Sequence, residues 1–190
     1  MSNGQYSVPL LVTNWCSLFY AEREYLKSPG RNIKLNASND VAQVVLDHNW
    51  CSVEILYGNI AIEALPPLVY CWEIEIVHCR TIFFSQELKF GITEMDHIGG
   101  NFYVYSDRGS VRNHHRQIRR YGTSFGDGDR IRMELDTARR TLSFWNNDSC
   151  QGVAFDGIDF EDCNRYRMVM ELPAKDICVK LTRFDRAMAS

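Results

Sequence analysis

The sequence has little of what marks a membrane, secreted or catalytic protein. Its first stretch, MSNGQYSVPLLVTNW, has no basic start and offers only the four-residue apolar run PLLV. That run is too short for a signal-peptide core or a membrane span, so no membrane association is expected. No CxxC pair occurs among the seven cysteines, Cys16, Cys51, Cys71, Cys79, Cys150, Cys163 and Cys178. An odd set scattered through apolar runs predicts free thiols and a reducing location, cytoplasmic or nuclear. His78, Cys79, His114, His115 and Cys163 lack both paired Cys/His spacing and an HExxH helix, which argues against a zinc site. No nucleophile stands in a recognisable elbow, so neither an enzyme nor a cofactor is expected. Charge of one sign is also scarce: the net charge is -3 and the pI about 5.9, so any pull on nucleic acid or anionic surfaces must be local.

What is there is apolar and alternating. A chain of 190 residues, 45% hydrophobic and 12% aromatic, can bury one full core. Residues 7 to 27 place Leu11, Trp15, Leu18, Phe19, Glu22 and Leu26 at helical spacing, between Ser7 and Pro9 as a start and SPG as a stop. The pattern predicts an N-terminal helical extension. From about residue 33 the period becomes two. YCWEIEIV sets Tyr70, Trp72, Ile74 and Ile76 against Cys71, Glu73, Glu75 and Val77, and RIRMEL sets Ile131, Met133 and Leu135 against Arg130, Arg132 and Glu134. Further strands are predicted at 42–46, 52–56, 88–93, 141–145, 152–155, 167–172 and 177–184. Short strands without intervening helices predict an all-β, two-sheet antiparallel sandwich.

The glycine-rich SFGDGD leads into the alternating strand rather than a helix, and lacks a Lys-Ser/Thr pair, so it is not a phosphate loop. Nor does a calcium-binding run with a terminal Glu follow Asp127 and Asp129. The stretch predicts a turn, with Gly126 and Gly128 at positive φ and the Asp side chains bonding the backbone.

The order VYCWEIEI, KFGIT, YGTSFGDGDRIRMELDTARRTLSFWNNDSCQGVAF, RMVMELPAKDICVKLTRF closely resembles the SPRY domain over residues 68 to 184. Upstream, IKLNASNDVAQVVLDHNWCSVEI resembles the PRY segment of tandem PRY-SPRY modules. Leu35 and Asn36 stand where that pattern has Leu-Asp, and its Pro is absent. Asn147-Asp148 replaces the family's usual Asn-Gly hairpin, and Asp tolerates the left-handed region. The expected organisation is a helical extension at 1–32, a PRY-like segment at 33–67 and a SPRY domain at 68–185. The resemblance implies a bent, concanavalin-like sandwich that is not an enzyme. It would act as an adaptor or substrate-recognition domain, binding a protein or short peptide through loops at one end, and a monomer is expected.

Matching the family's loops puts the partner surface at His48, Asn49 and Trp50, at Phe102, Tyr103 and Tyr105 in the segment 97–105, and at Leu172, Pro173 and Lys175. Arg112, Arg116, Arg119 and Arg120 form its rim. The segment 108–120 carries five arginines and no acid after Asp107. It reads as a solvated loop, as a clamp for an acidic peptide, or as an RNA-associated patch using Tyr103, Tyr105 and Tyr121 for stacking. Trp50 and Trp145 remain open between interface anchors and packing.

Overall fold

The computed structural model describes residues 15–16, 33–35, 41–44, 54–58, 62, 67–79, 87–94, 101–114, 118–160, 166–172 and 177–189. They form strands β1 (Trp15–Cys16), β2 (Ile33–Leu35), β3 (Val41–Val44), β4 (Glu54–Gly58), β5 (Leu68–His78), β6 (Lys89–Glu94) and β7 (Phe102–Ser106). β8 (Ser110–Asn113), β9 (Ile118–Arg120), β10 (Arg130–Asp136), β11 (Thr141–Asn146), β12 (Ser149–Phe155), β13 (Tyr166–Leu172) and β14 (Cys178–Met188) complete them. One sheet has the order β1-β4-β13-β6-β7-β8-β9 and the other β12-β11-β10-β5-β14-β3-β2, all antiparallel. The all-β sandwich expected from the alternation is therefore what forms. Segment 33–67 supplies strands to both sheets, β2 and β3 to one and β4 to the other.

The period of two explains the core. In β5 the residues Leu68, Tyr70, Trp72, Ile74 and Ile76 are buried while their neighbours are partly wet. Ile131, Met133 and Leu135 of β10 lie beside them in register, and Leu142 and Phe144 of β11 continue the layer. The other sheet contributes Phe90, Ile92, Tyr103, Tyr105, Val111, Tyr166, Met168, Met170 and Leu172 to the same cluster. Trp145 lies on the far side of β11, where the Arg132 guanidinium sits 4.3 Å from its ring centroid.

Three expectations need correction. Trp15–Cys16, inside the expected helix of residues 7–27, pair instead as a strand with Tyr57 and Gly58. The rest of that helix lies outside the described residues. The segments 97–105 and 108–120 were expected as loops, yet residues 102–106, 110–113 and 118–120 form the three-stranded meander β7-β8-β9. Its alternation is hidden: Val104 and Ser106 are buried although they alternate with core-facing Tyr103 and Tyr105, Arg112 of β8 is only partly buried, and all three residues of β9, Ile118, Arg119 and Arg120, are exposed. In the GDGD turn only Gly128 has positive φ, +81°. The Asp side chains do bond the backbone as expected: the Asp129 carboxylate accepts a hydrogen bond from the Gly126 N–H at 2.8 Å, and Asp127 accepts one from Cys79 N–H. The turn is therefore anchored to the end of β5 by side chains as much as shaped by glycine.

The Asn147-Asp148 hairpin behaves as expected of αL-tolerant residues, with φ of 48° and 67°. Asn147 adds a second function, because its Oδ1 accepts a hydrogen bond from Arg130 N–H at 2.9 Å and ties the turn to β10.

The described cysteines Cys71, Cys79, Cys150 and Cys178 are free thiols. Burial pushes the Cys71 thiol up to about 11 and the Cys79 thiol to about 12, whereas Cys150 is exposed. Among these four, maleimide at neutral pH should label Cys150 first. The melting temperature should be the same with and without dithiothreitol. A drop on reduction, with mass loss of paired hydrogens in the native form, would reveal a disulfide.

Asp107 closes β7 and is 8% exposed. Burial, reinforced by the Glu87 carboxylate, lifts its pKa from 3.8 to about 6, against the Leu88 main chain, Arg108 and Lys89. The native state thus holds a proton that the unfolded chain has already lost between those pH values. Stability is highest below pH 3.8 as far as this group is concerned, and falls as pH rises to about 6. Asp107→Asn should raise stability at pH 7 by about 1–2 kcal/mol and flatten the dependence between about pH 4 and 6. Chemical denaturation at pH 4, 5, 6 and 7 checks this, and an unchanged slope in the variant would refute it.

Candidate binding site

Two sheet edges meet at one end of the sandwich, β9 and β12. Between them lies a cleft of about 460 Å³ lined by Tyr103, Val111, Asn113, Arg119, Val153, Ala154, Phe155 and Asp156. Pairing decides who faces it: Val111 and Arg119 are register partners on β8 and β9, so both side chains lie on the face turned towards β12. Val153 projects from β12 with 53% of its surface exposed and forms the apolar lip.

Side chains fasten the two edges together. The Arg119 guanidinium donates to the Ala154 carbonyl, and the Tyr121 hydroxyl donates to the Gly152 carbonyl. These carbonyls are two residues apart on β12 and lie on the same edge, so the open ladder of that strand is closed by side chains from β9 and its exit. Burial pushes the Tyr121 phenol up to about 12, which keeps the donating hydrogen in place.

Tyr103 forms the floor. Its ring meets Phe155 at 5.2 Å, His114 at 5.7 Å and Tyr166 at 6.2 Å between centroids. Burial raises its pKa. The Asn113 Oδ1 is buried without a hydrogen-bond partner, and the Asp156 carboxylate is exposed nearby. An unmatched amide oxygen, an apolar lip, a guanidinium and a carboxylate together suit an incoming main chain with one apolar side chain. Among the described residues, no group of three or more His, Cys, Asp or Glu could hold a metal ion, and no helix is long and apolar enough to cross a membrane.

The structure brings Tyr103 and Arg119 together in the cleft. Arg119 is not a freely solvated rim charge, because it is spent on the Ala154 carbonyl. Tyr105 and Leu172 have no exposed surface and support the site from the core, so a partner cannot touch them in this arrangement. Phe102 and Arg112 sit on the opposite face of the meander, with the Arg112 guanidinium 5.8 Å from the Phe102 ring centroid. Arg120 is exposed. His48, Asn49, Trp50, Arg116, Pro173 and Lys175 lie outside the described residues. Sequence reasoning missed Asn113, Val153, Phe155 and Asp156. An exposed valine beside a buried alanine in GVAF was the available signal, since it puts an apolar side chain on the non-core face of a strand.

The SPRY domain family model matches residues 70–179, more than half of the chain. A search of curated proteins found no match. Among solved structures, the SPRY domain of human HERC1 superposes with a TM-score of 0.61 at 17% identity, covering 78% of this chain and 91% of that one. A further human SPRY domain gives 0.54 at 14% identity, over 80% and 94% of the two chains. The TRIM65 PSpry domain gives 0.58 at 13% identity, over 80% and 85%.

Proposed function

Because the chain belongs to the SPRY domain family, whose members are in general protein-interaction modules, we propose that it is a non-catalytic adaptor module holding a peptide segment of a partner protein in the cleft between β9 and β12. The observation that carries this reading is the buried, unmatched Oδ1 of Asn113 beside the apolar lip of Val153. A buried acceptor without a donor costs stability that an incoming main-chain N–H would restore. The segments 47–50 with Trp50, 97–105 and 172–176, and a PRY-like part of the module at 33–67, belong to the proposal on the family resemblance alone. A reducing location, cytoplasmic or nuclear, is part of the proposal.

Two observations weigh against the RNA reading of the arginine segment. Tyr103 is 7% exposed and Tyr105 is fully buried, so neither offers a face for a base. Tyr121 is half-buried and its hydroxyl is engaged. Stacking is what makes single-strand binding tight, and arginines alone supply only its salt-dependent part.

Affinity capture from a lysate with the intact protein and with Val153→Asp tests the proposal. Val153 is exposed, so its replacement should leave the melting temperature nearly unchanged. A charge at the apolar lip should weaken the captured partner by about tenfold or more, roughly 1.4 kcal/mol. Equal retention by both forms would move the site away from the cleft.

A further inference from the structure

We propose that the free edge of β9 accepts an acidic, extended segment of a partner protein as an added strand. The proposal rests on the preceding reading only in that the chain binds proteins: the edge of β9 borders the cleft, but an added strand would extend the sheet and rest on Ile118 and Arg120, on the face opposite Arg119 and the cleft. β9 ends its sheet, and among the described residues no strand pairs with its far edge. All three of its residues are exposed, Ile118 at 70%. Its counterpart across the cleft is treated differently, because Tyr121 and Arg119 occupy the carbonyls of Gly152 and Ala154 on β12. One edge at this end is closed and the other is left as a pairing template.

Charge selects the occupant. Segment 108–120 contains five arginines and no carboxylate of its own, Arg108 pairing with Glu87 at 3.7 Å and Arg119 turned to the cleft. Arg120 makes no ion pair among the described residues, and the Nε of Arg112, one strand inwards, is buried without an acceptor. Ile118 pairs with Arg112 and Arg120 with Ser110, so Ile118, Arg112 and Arg120 share the outer face while Arg119 turns to the cleft. Side chains of an added strand alternate in the same way. The fitting partner therefore carries an acidic and an apolar residue two positions apart, the carboxylate on Arg120 and the apolar group on Ile118. Nonspecific edge pairing is discouraged by the same arginine, which an acidic strand neutralises.

The experiment uses the full chain and a fluorescein-labelled peptide, Thr-Glu-Thr-Val-Thr-Glu-Thr, followed by anisotropy. Three comparison probes are used: its Gln-for-Glu version, a version N-methylated at alternate amides on the pairing edge, and a single-stranded RNA of equal length. Binding should weaken about tenfold or more with the Gln peptide, and by a similar factor with the exposed substitution Arg120→Glu. The N-methylated peptide should not bind, because a ladder needs its donors. Arg120→Glu should at the same time leave lysate capture of the cleft partner as strong as with the parent protein, since Arg120 does not line the cleft, which separates this edge from it. The proposal is overturned if the peptide does not bind up to about 1 mM or binds Arg120→Glu equally. It is also overturned if N-methylation has no effect, if the RNA binds more tightly, or if a dimer that the peptide does not dissociate occupies the edge.

Discussion

Trp72→Ala is expected to lower stability by about 3–5 kcal/mol, the cost of deleting a large aromatic side chain from a packed core. Trp72 is 1% exposed and sits mid-strand in β5, the strand that joins β10 on one side and β14 on the other. Its ring stacks on Tyr70 at 5.6 Å with 8° between planes and meets Phe184 at 5.5 Å. Truncation leaves a void bounded by main chain on two flanking strands, which cannot collapse without breaking ladder hydrogen bonds. Urea denaturation at constant m-value gives the number directly. A variant as stable as the parent would remove Trp72 from the centre of the sandwich.

Gly91→Ala is expected to cost about 3 kcal/mol or more, or to prevent folding. Gly91 lies between β7 and β13, paired with Val104 and Val169. A Cβ built there would stand 1.9 Å from the main-chain oxygen of Tyr103 and 2.7 Å from the Cα of Val104. Backbone, unlike a flexible side chain, has nowhere to go, so β7 must shift out of register contact with β6. Overpacking ordinarily costs about 1–3 kcal/mol, and a clash with backbone belongs at the upper end or beyond. Because β7 also carries Tyr103, the floor of the cleft, the variant should lose partner binding along with stability. Thermal denaturation checks it; a shift below about 2 °C would contradict the close approach.

The frame was legible because its residues obey one period. Tyr70, Trp72, Ile74 and Ile76 alternate cleanly, as do Ile131, Met133 and Leu135, and a half-buried antiparallel strand imposes that alternation. The meander was not legible because it breaks the rule in two ways. Val104 and Ser106 are buried although they alternate with core-facing Tyr103 and Tyr105, and β8 and β9 carry arginines where strands more often carry β-branched residues. The Asp129 bond to Gly126 N–H follows from local turn chemistry, whereas the Asp127 anchor depends on the end of β5 and Asn147 on β10, which local propensity does not encode. For the site, Tyr103 and Arg119 were found, but Asn113 and Asp156 come together with them only through the meeting of β9 and β12, two strands separated by 28 residues. Spacing along a chain carries no signal for that.

The central claim is that a partner segment lies in the cleft between the two sheet edges. Photo-crosslinking measures it most directly, with p-benzoylphenylalanine placed in turn at Val153, at the lip, and at Glu134, on the outer face of the β10 sheet. Captured partner should crosslink from position 153 and not from 134, and the adduct should vanish when Asn113→Ala is added. Adducts from position 134 alone would contradict the account and assign binding to the other face of the sandwich.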